Sequence, residues 1–397
     1  MPSSAHPLIV EFHLLQNFSP SCLNRDDTNT PKSSVFGGVR RARVSSQCLK
    51  RAIRLHMRDH YGIATGTRTR RLADVIADRL AKEGTEPRRD PGEALALARF
   101  ALDQSGFKLT TGETEVRTQV GLYLAEGEIA RLAAAVDADW GRLADARATA
   151  EAAARAAAGA EGARAARPRR RDRGAAPVDL PNVRQAIEAV RKTVDASDIA
   201  LFGRMVAEHP HMKVDAASQV AHALSTHACE LEMDYFTAVD DEQPDEDPGA
   251  GMLGLVGFQS ACFYRYALVH RDQLVANLQG NARQANETIV AFLRASVEAI
   301  PTGRQNGSAA HNWPDHIAVR TGARLPLNLA NAFEKPVRAG RSASLVQASA
   351  AALEAYRERL EGVYGADGDW FVCSTITQGN GSLAELETWL RRRLPEA

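Results

Sequence analysis

The chain has 397 residues, enough for one large domain or two ordinary ones. With 44% hydrophobic and 25% charged residues it is globular in composition, which excludes a disordered or fibrous chain, and no apolar run approaches the roughly 20 residues of a bilayer span. Lys plus Arg and Asp plus Glu both total 49, so bulk charge alone selects no polyanionic partner.

In chain order, Leu8 to Leu15 reads as a buried strand, and Ser19 to Ser34 as an ordered polar loop. Val39 to Val44 alternates as a second strand, and Ser45 or Ser46 caps a helix running to about His60. From Tyr61 to about Val194 the pattern is helical. Within it, Ala144 to Ala176 is almost wholly Ala, Arg, Glu and Gly, and Pro168 to Gly174 reads as an exposed, mobile loop. Ile199 to Met205 is predicted as a strand ending at a Gly-Arg-Met corner, and Val214 to His227 as an amphipathic segment, helical in part. Strand character returns over Gln259 to Val269, followed by helices at Asp272–Leu278 and Ala282–Ala299. Ile317 to Val319, a helix over Leu345–Val363, Trp370 to Ser374 and a helix over Leu383–Leu394 complete an α+β pattern.

Charge is unevenly spread. From Lys32 to Arg58 there are eight basic residues and no acid, and from Ala228 to Asp247 nine acids and no base. The opening residues lack a basic region leading into an apolar stretch, and Cys22, Cys48, Cys229, Cys262 and Cys373 form no CxxC pair. A reducing cytoplasm is therefore expected, with no membrane, no disulfide framework, no structural zinc and no cofactor. The chain has no GxxxxGK[ST] loop, no GxSxG elbow and no HExxH helix. Gly251, Gly254 and Gly257 lack dinucleotide spacing and read as loop flexibility; His209-Pro-His211 reads as a turn. Asp26 and Asp27 are a carboxylate pair open to two readings, a divalent-ion site or a loop folded on its own backbone, of which the second is favoured. Nothing here requires an enzyme.

The helix after Ser45 is the most informative element. Gln47, Lys50, Arg51, Arg54 and Arg58 share one face, while Leu49, Ala52 and Ile53 point inward. Basic helix faces are commonly plain solvated surface. This one has no acid to interrupt it and is preceded by Lys32, Arg40, Arg41 and Arg43, a pattern that suits a phosphate track.

Pro20 to Asp27, Phe36-Gly-Gly38 and Arg43 to Arg51 resemble the CasC family, the backbone subunit of the type I-E CRISPR Cascade complex. The likeness resumes at Asp198 to Met205, Lys213 to Ala216, Ala221 to His227, Asp234 to Asp241, Phe263 to Ala267 and Asn331 to Lys335. It spans most of the chain and is weakest between about Thr65 and Ala189 and after Arg338. The resemblance implies an RRM-like (ferredoxin-like) palm in three parts, 1–60, 195–227 and 259–397. It also implies helical fingers over 61–194, with an Arg-rich loop at 164–173, and a protruding thumb over 228–258. Its partners would be CRISPR RNA, the target DNA strand, and other copies of itself in a helical filament. Further expected partners are the large and small Cascade subunits, the guide 5′-end cap subunit, the guide-processing endonuclease, and a recruited helicase-nuclease.

The resemblance places Asn24, Arg25, Lys32, Ser45, Gln47, Lys50 and Arg51 near the RNA backbone, with Arg54 on the same stripe. Arg204 and Met205 fall at the corner, and Phe236 and Thr237 at a thumb tip that props the strand open. By pattern alone Met205 and Phe236 read as core residues. Val39 stands where relatives are expected to carry a basic residue, so one phosphate contact is either missing or taken over by Arg40. Arg169, Arg170, Arg171 and Arg173 are expected at target DNA, and the thumb acids Glu230, Glu232 and Asp240 to Asp247 at a basic neighbour. A different reading, RNA cleavage through Asp26 or Asp27 with a metal ion as in type III backbones, stays open. A stand-alone RRM-type RNA binder is a third reading, and it lacks the aromatic RNP signature.

Overall fold

The structure, a computed structural model, describes residues 8–82, 88–111, 116–161, 178–190, 195–206, 209–238, 252–322, 325–376 and 381–396. It divides into two compact units: Met1–Ile63, Ala217–Ala276 and Asn281–Ala397 form the first, and Ala64–Ala216 with Asn277–Gly280 the second. The segment 195–216, expected with the palm, thus clusters with the helical unit. No described helix is long and apolar enough to cross a membrane.

The first unit is built on an antiparallel sheet. Its strands run in the order Asp369–Ser374, His316–Gly322, Ile9–Ser21, Met252–His270, Ala223–Ser225, Val39–Val44, Ser33–Phe36. Ser218–Val220 also pairs with the long strand, and its outer part, Met252 to Phe258, pairs with Glu232–Ala238 as a two-stranded ribbon. From Ile9 to Gln16 the central Ile9–Ser21 strand is buried on both faces because helices cover both. Phe12 meets Phe292 of the Ala282–Glu298 helix at 5.4 Å between ring centroids. On the other face Ile9, Leu15, Tyr264 and Tyr266 pack on Ala350 and Leu353 of the Leu345–Tyr364 helix. The architecture is α+β.

A two-residue Gly37-Gly38 turn joins the Ser33–Phe36 and Val39–Val44 strands, with φ of 60° and 76°, the left-handed pair a tight hairpin requires. A Cβ on Gly37 would also run into the Glu334 carbonyl oxygen. Phe36-Gly-Gly38 and the Asn331 to Lys335 segment are therefore one packed feature.

The second unit is mostly helical, with an apolar core drawn from Leu72–Ala81, Pro91–Gln104, Glu126–Ala138 and Pro181–Ala189. Two small sheets, Thr67–Thr69 with Leu122–Leu124 and Leu109–Thr111 with Val116–Thr118, interrupt the expected run of helix. Two expectations are corrected here and in the first unit. Ile199 to Met205 is not a strand: Ser197–Phe202 is a helix stopped by Gly203 at φ 78°. Val214 to His227 forms no helix but contributes the short strands Ser218–Val220 and Ala223–Ser225.

Candidate nucleic-acid interface

The Ser46–Tyr61 helix begins where its side chains say it must. Ser45 is extended and its Oγ accepts from the Cys48 N–H at 3.3 Å, while Leu49, Ile53 and Met57 turn inward. Asn24 Oδ1 accepts from the Ser45 N–H at 2.9 Å, and His222 Nδ1 accepts from the Ser46 N–H at 3.0 Å. Asn24 and Ser45 thus set the position of the helix start. No acid occupies the first turn, so the positive end of the helix dipole stands unopposed there.

Cations gather at that end. Burial raises the Cys48 thiol, and Arg51 and Lys32 pull it back. Burial also lowers the His222 imidazole, and Arg43 and Lys32 lower it further. Arg51 and Arg25 line a groove of about 690 Å³ between the Leu23 to Asn29 loop, the helix and Ala299 to Gly303. Gln47, Arg51 and Arg58 are exposed, whereas Lys50 and Arg54 are half-buried, and desolvation lowers the Lys50 ammonium. The stripe is therefore not uniform: Arg51 turns toward the groove and Arg58 pairs with Asp59 at 2.7 Å. Arg25 is exposed, donating to Asn29 Oδ1 at 2.6 Å; Lys32 is half-buried and Arg40 exposed beside Val39.

Two arginines leave the expected surface. Arg41 is fully buried and donates to the carbonyls of Phe36, Ser225, Phe333 and Glu334, clamping the glycine turn to the segment before Lys335. Arg204 is corrected in the same way. Its side chain is 1% exposed, pairs with fully buried Glu128 at 2.7 Å, and donates to the carbonyls of Met212, Tyr123 and Val190. Both cations are consumed by internal acceptors.

Met205, next in sequence, is 84% exposed, and Phe236 is 42% exposed on the ribbon with Thr237 exposed beside it. Neither Met205 nor Phe236 is a core residue. Phe236 lies opposite Gly254, where a Cβ would collide with its ring. Gly254 and Gly257 therefore sit inside a strand and make room for side chains, which corrects the reading of loop flexibility. Glu230 and Glu232 are exposed, while Asp240 to Asp247, and Arg169, Arg170, Arg171 and Arg173, lie outside the described residues.

Asp26 is occupied by its own loop. It accepts from the Thr28 and Thr30 N–H groups, each at 3.0 Å, and from both hydroxyls, at 2.8 and 3.0 Å. The Thr28 hydroxyl leads the contacts that hold its carboxyl below the usual range. Asp27 is exposed at the groove. Among the described residues, no three His, Cys, Asp or Glu side chains gather as metal ligands. His222 and the Ala299 to Gly303 wall are site features that charge counting missed. The only signal for either was the place of His222 within the Ala221 to His227 block.

A family model described as CT1975-like protein matches residues 10–392. The chain belongs to that family. Among solved structures it is similar to a chain of a "CRISPR RNA-guided surveillance complex, pre-nicking", with 31% identity, a TM-score of 0.81, and 97% of this chain and 99% of that one covered. A second, from a "CRISPR RNA-guided surveillance complex", has 27% identity and a TM-score of 0.68 with the same coverage. No curated protein matches.

Proposed function

We propose that this CT1975-like chain is a non-catalytic, guide-RNA-binding backbone subunit of a CRISPR surveillance complex of type I-E. The observation that carries this reading is the match over 97% of the chain to a subunit of an RNA-guided surveillance complex. The site supplies a physical basis. Lys32, Arg43 and Arg51 converge on an acid-free helix N-terminus, which binds phosphate whatever the base sequence. A scaffold that must accept many guides needs this kind of backbone readout.

In this reading the sheet unit is an RRM-like palm, the helical unit the fingers, and the Glu232–Ala238 ribbon the base of the thumb. Copies polymerise along one guide. The thumb acids meet a neighbour's basic surface, and the Arg-rich 164–173 loop approaches target DNA. A structural role is supported at Asp26, one of the two loop aspartates an RNA-cleaving backbone could use, because it already accepts four hydrogen bonds from its own loop. Asp27 is exposed at the groove, and cleavage through it is what the Mg²⁺ arm of the test reads.

The test is to express the full chain with a CRISPR RNA, purify it, and size both components. RNA of defined length in a multi-subunit particle is expected, with complementary RNA left intact in Mg²⁺. A monomer free of RNA, or regular cleavage of the complementary strand, would overturn the reading.

A further inference from the structure

A second concavity lies in the same unit, away from the phosphate groove. It measures about 230 Å³ and is walled by Phe36, Leu224, Tyr264 and Phe333, with His222 and Asn328 at its edge. Tyr264 and Phe333 are buried with ring centroids 5.3 Å apart, so the floor is aromatic and already ordered. Sheet register explains what stands over it. Arg43 is the direct partner of Leu224, and Leu224 of Tyr264, so the three side chains form a row on one face. Arg43 does not itself line the cavity, its Nε donating to the Ser33 carbonyl at 3.4 Å, but its charge and that of Lys32 reach His222, which does.

The polar rim has one sense. His222 Nδ1 accepts from the Ser46 N–H, which leaves Nε2 as the donor. Asn328 Oδ1 accepts from the Ala330 N–H, which leaves its amide NH2 as the donor. Among the described residues, no carboxylate lines the cavity. Two donors and aromatic walls, with cations acting on His222, select a flat, acceptor-rich ring attached to a negatively charged group. An apolar side chain from another protein would leave both donors unmet and has no use for the cations. His222 also joins this cavity to the helix start, because one ring touches both.

We propose that this cavity takes one nucleobase of the bound RNA, with the adjoining phosphate on Arg43 and Lys32. The base would lie against the Phe36 and Tyr264 rings while His222 and Asn328 donate to its edge. Sequence tolerance is kept, since every base offers a π face and edge acceptors. The inference rests on the RNA-binding reading above, and its test separates the two.

Full-length protein is titrated with an oligouridylate and with an abasic ribose-phosphate chain of equal length. Ala330→Phe fills the cavity without removing a charge. It should weaken oligouridylate binding about five-fold or more, the low end for one stacked base, and leave abasic binding unchanged. Independently, wild-type protein irradiated with 4-thiouridine RNA should cross-link at Phe36, His222 or Tyr264. Equal effects on both oligomers, or cross-links only elsewhere, overturn the base pocket and leave the phosphate track standing. Unchanged affinity with lost self-association on RNA would show that the cavity seats another protein chain instead. Wild-type protein that binds neither oligomer removes both readings.

Discussion

Arg204 shows how a charge that looks available in sequence can be fully spent in the fold. A buried guanidinium bridging Glu128 and several carbonyls is held by geometry, and loss of one partner leaves the other charged and dry. Arg204→Met should therefore destabilise the chain by about 3–5 kcal/mol, read by chemical denaturation, without altering the RNA affinity of the folded fraction. A stable variant that has lost RNA binding would return Arg204 to the interface. His13 is a second buried titratable group. Burial, joined by Arg320 and other cations, lowers its imidazole to about 3, and Nδ1 shares a 2.9 Å hydrogen bond with the Tyr264 hydroxyl. The sign follows directly. Between the ordinary value near 6.5 and about 3 the unfolded chain binds a proton that the folded chain refuses, so stability falls as pH drops through that window. His13→Phe should flatten this limb by up to about 1.4 kcal/mol per pH unit in denaturant titrations. An unchanged acid limb would mean that His13 is protonated in the native state.

At the scale of elements, the Ser46–Tyr61 helix ties local sequence to function. Its period, its Ser45 cap and its inward Leu49 and Ile53 are local features, so the sequence pattern locates the helix without help from the rest of the fold. The Ser197–Phe202 helix defeats the same approach. Ile-Ala-Leu-Phe is a short apolar run whose period cannot separate strand from buried helix, and tertiary packing decides it. Arg41 and Arg204 fail differently. Their acceptors lie as far as 293 and 81 residues away, beyond the reach of any count of neighbouring charge. The cations that remain give a measurable expectation. Lys50→Ala with Arg51→Ala should weaken binding to every RNA sequence alike and reduce the salt slope by roughly one to two units. Arg51 should account for more of this, since it lines the groove while Lys50 is half-buried. A loss confined to one sequence would point to base readout at this helix.

For the whole molecule, the question is what a subunit must show its neighbours while staying folded alone. Among the described residues, the ribbon formed by Glu232–Ala238 and Met252 to Phe258 pairs only with itself beyond Gln259, and Met233, Tyr235, Phe236 and Leu255 are exposed on it. Such apolar surface contributes little to the free chain and has most to gain from assembly. Phe236→Asp should therefore leave the melting temperature of the free subunit unchanged and shorten or abolish RNA-templated assemblies in light scattering, whereas Phe236→Leu should be mild. Gly254→Ala separates chemistry from placement. It keeps the phenyl ring but pushes it off the position that the missing Cβ allows. If Phe236 acts as a wedge against a displaced base, Gly254→Ala should mimic the loss of the ring, at about 1–3 kcal/mol per stacked base. If Phe236→Asp instead unfolds the free subunit, the ring supports the fold and the wedge assignment fails.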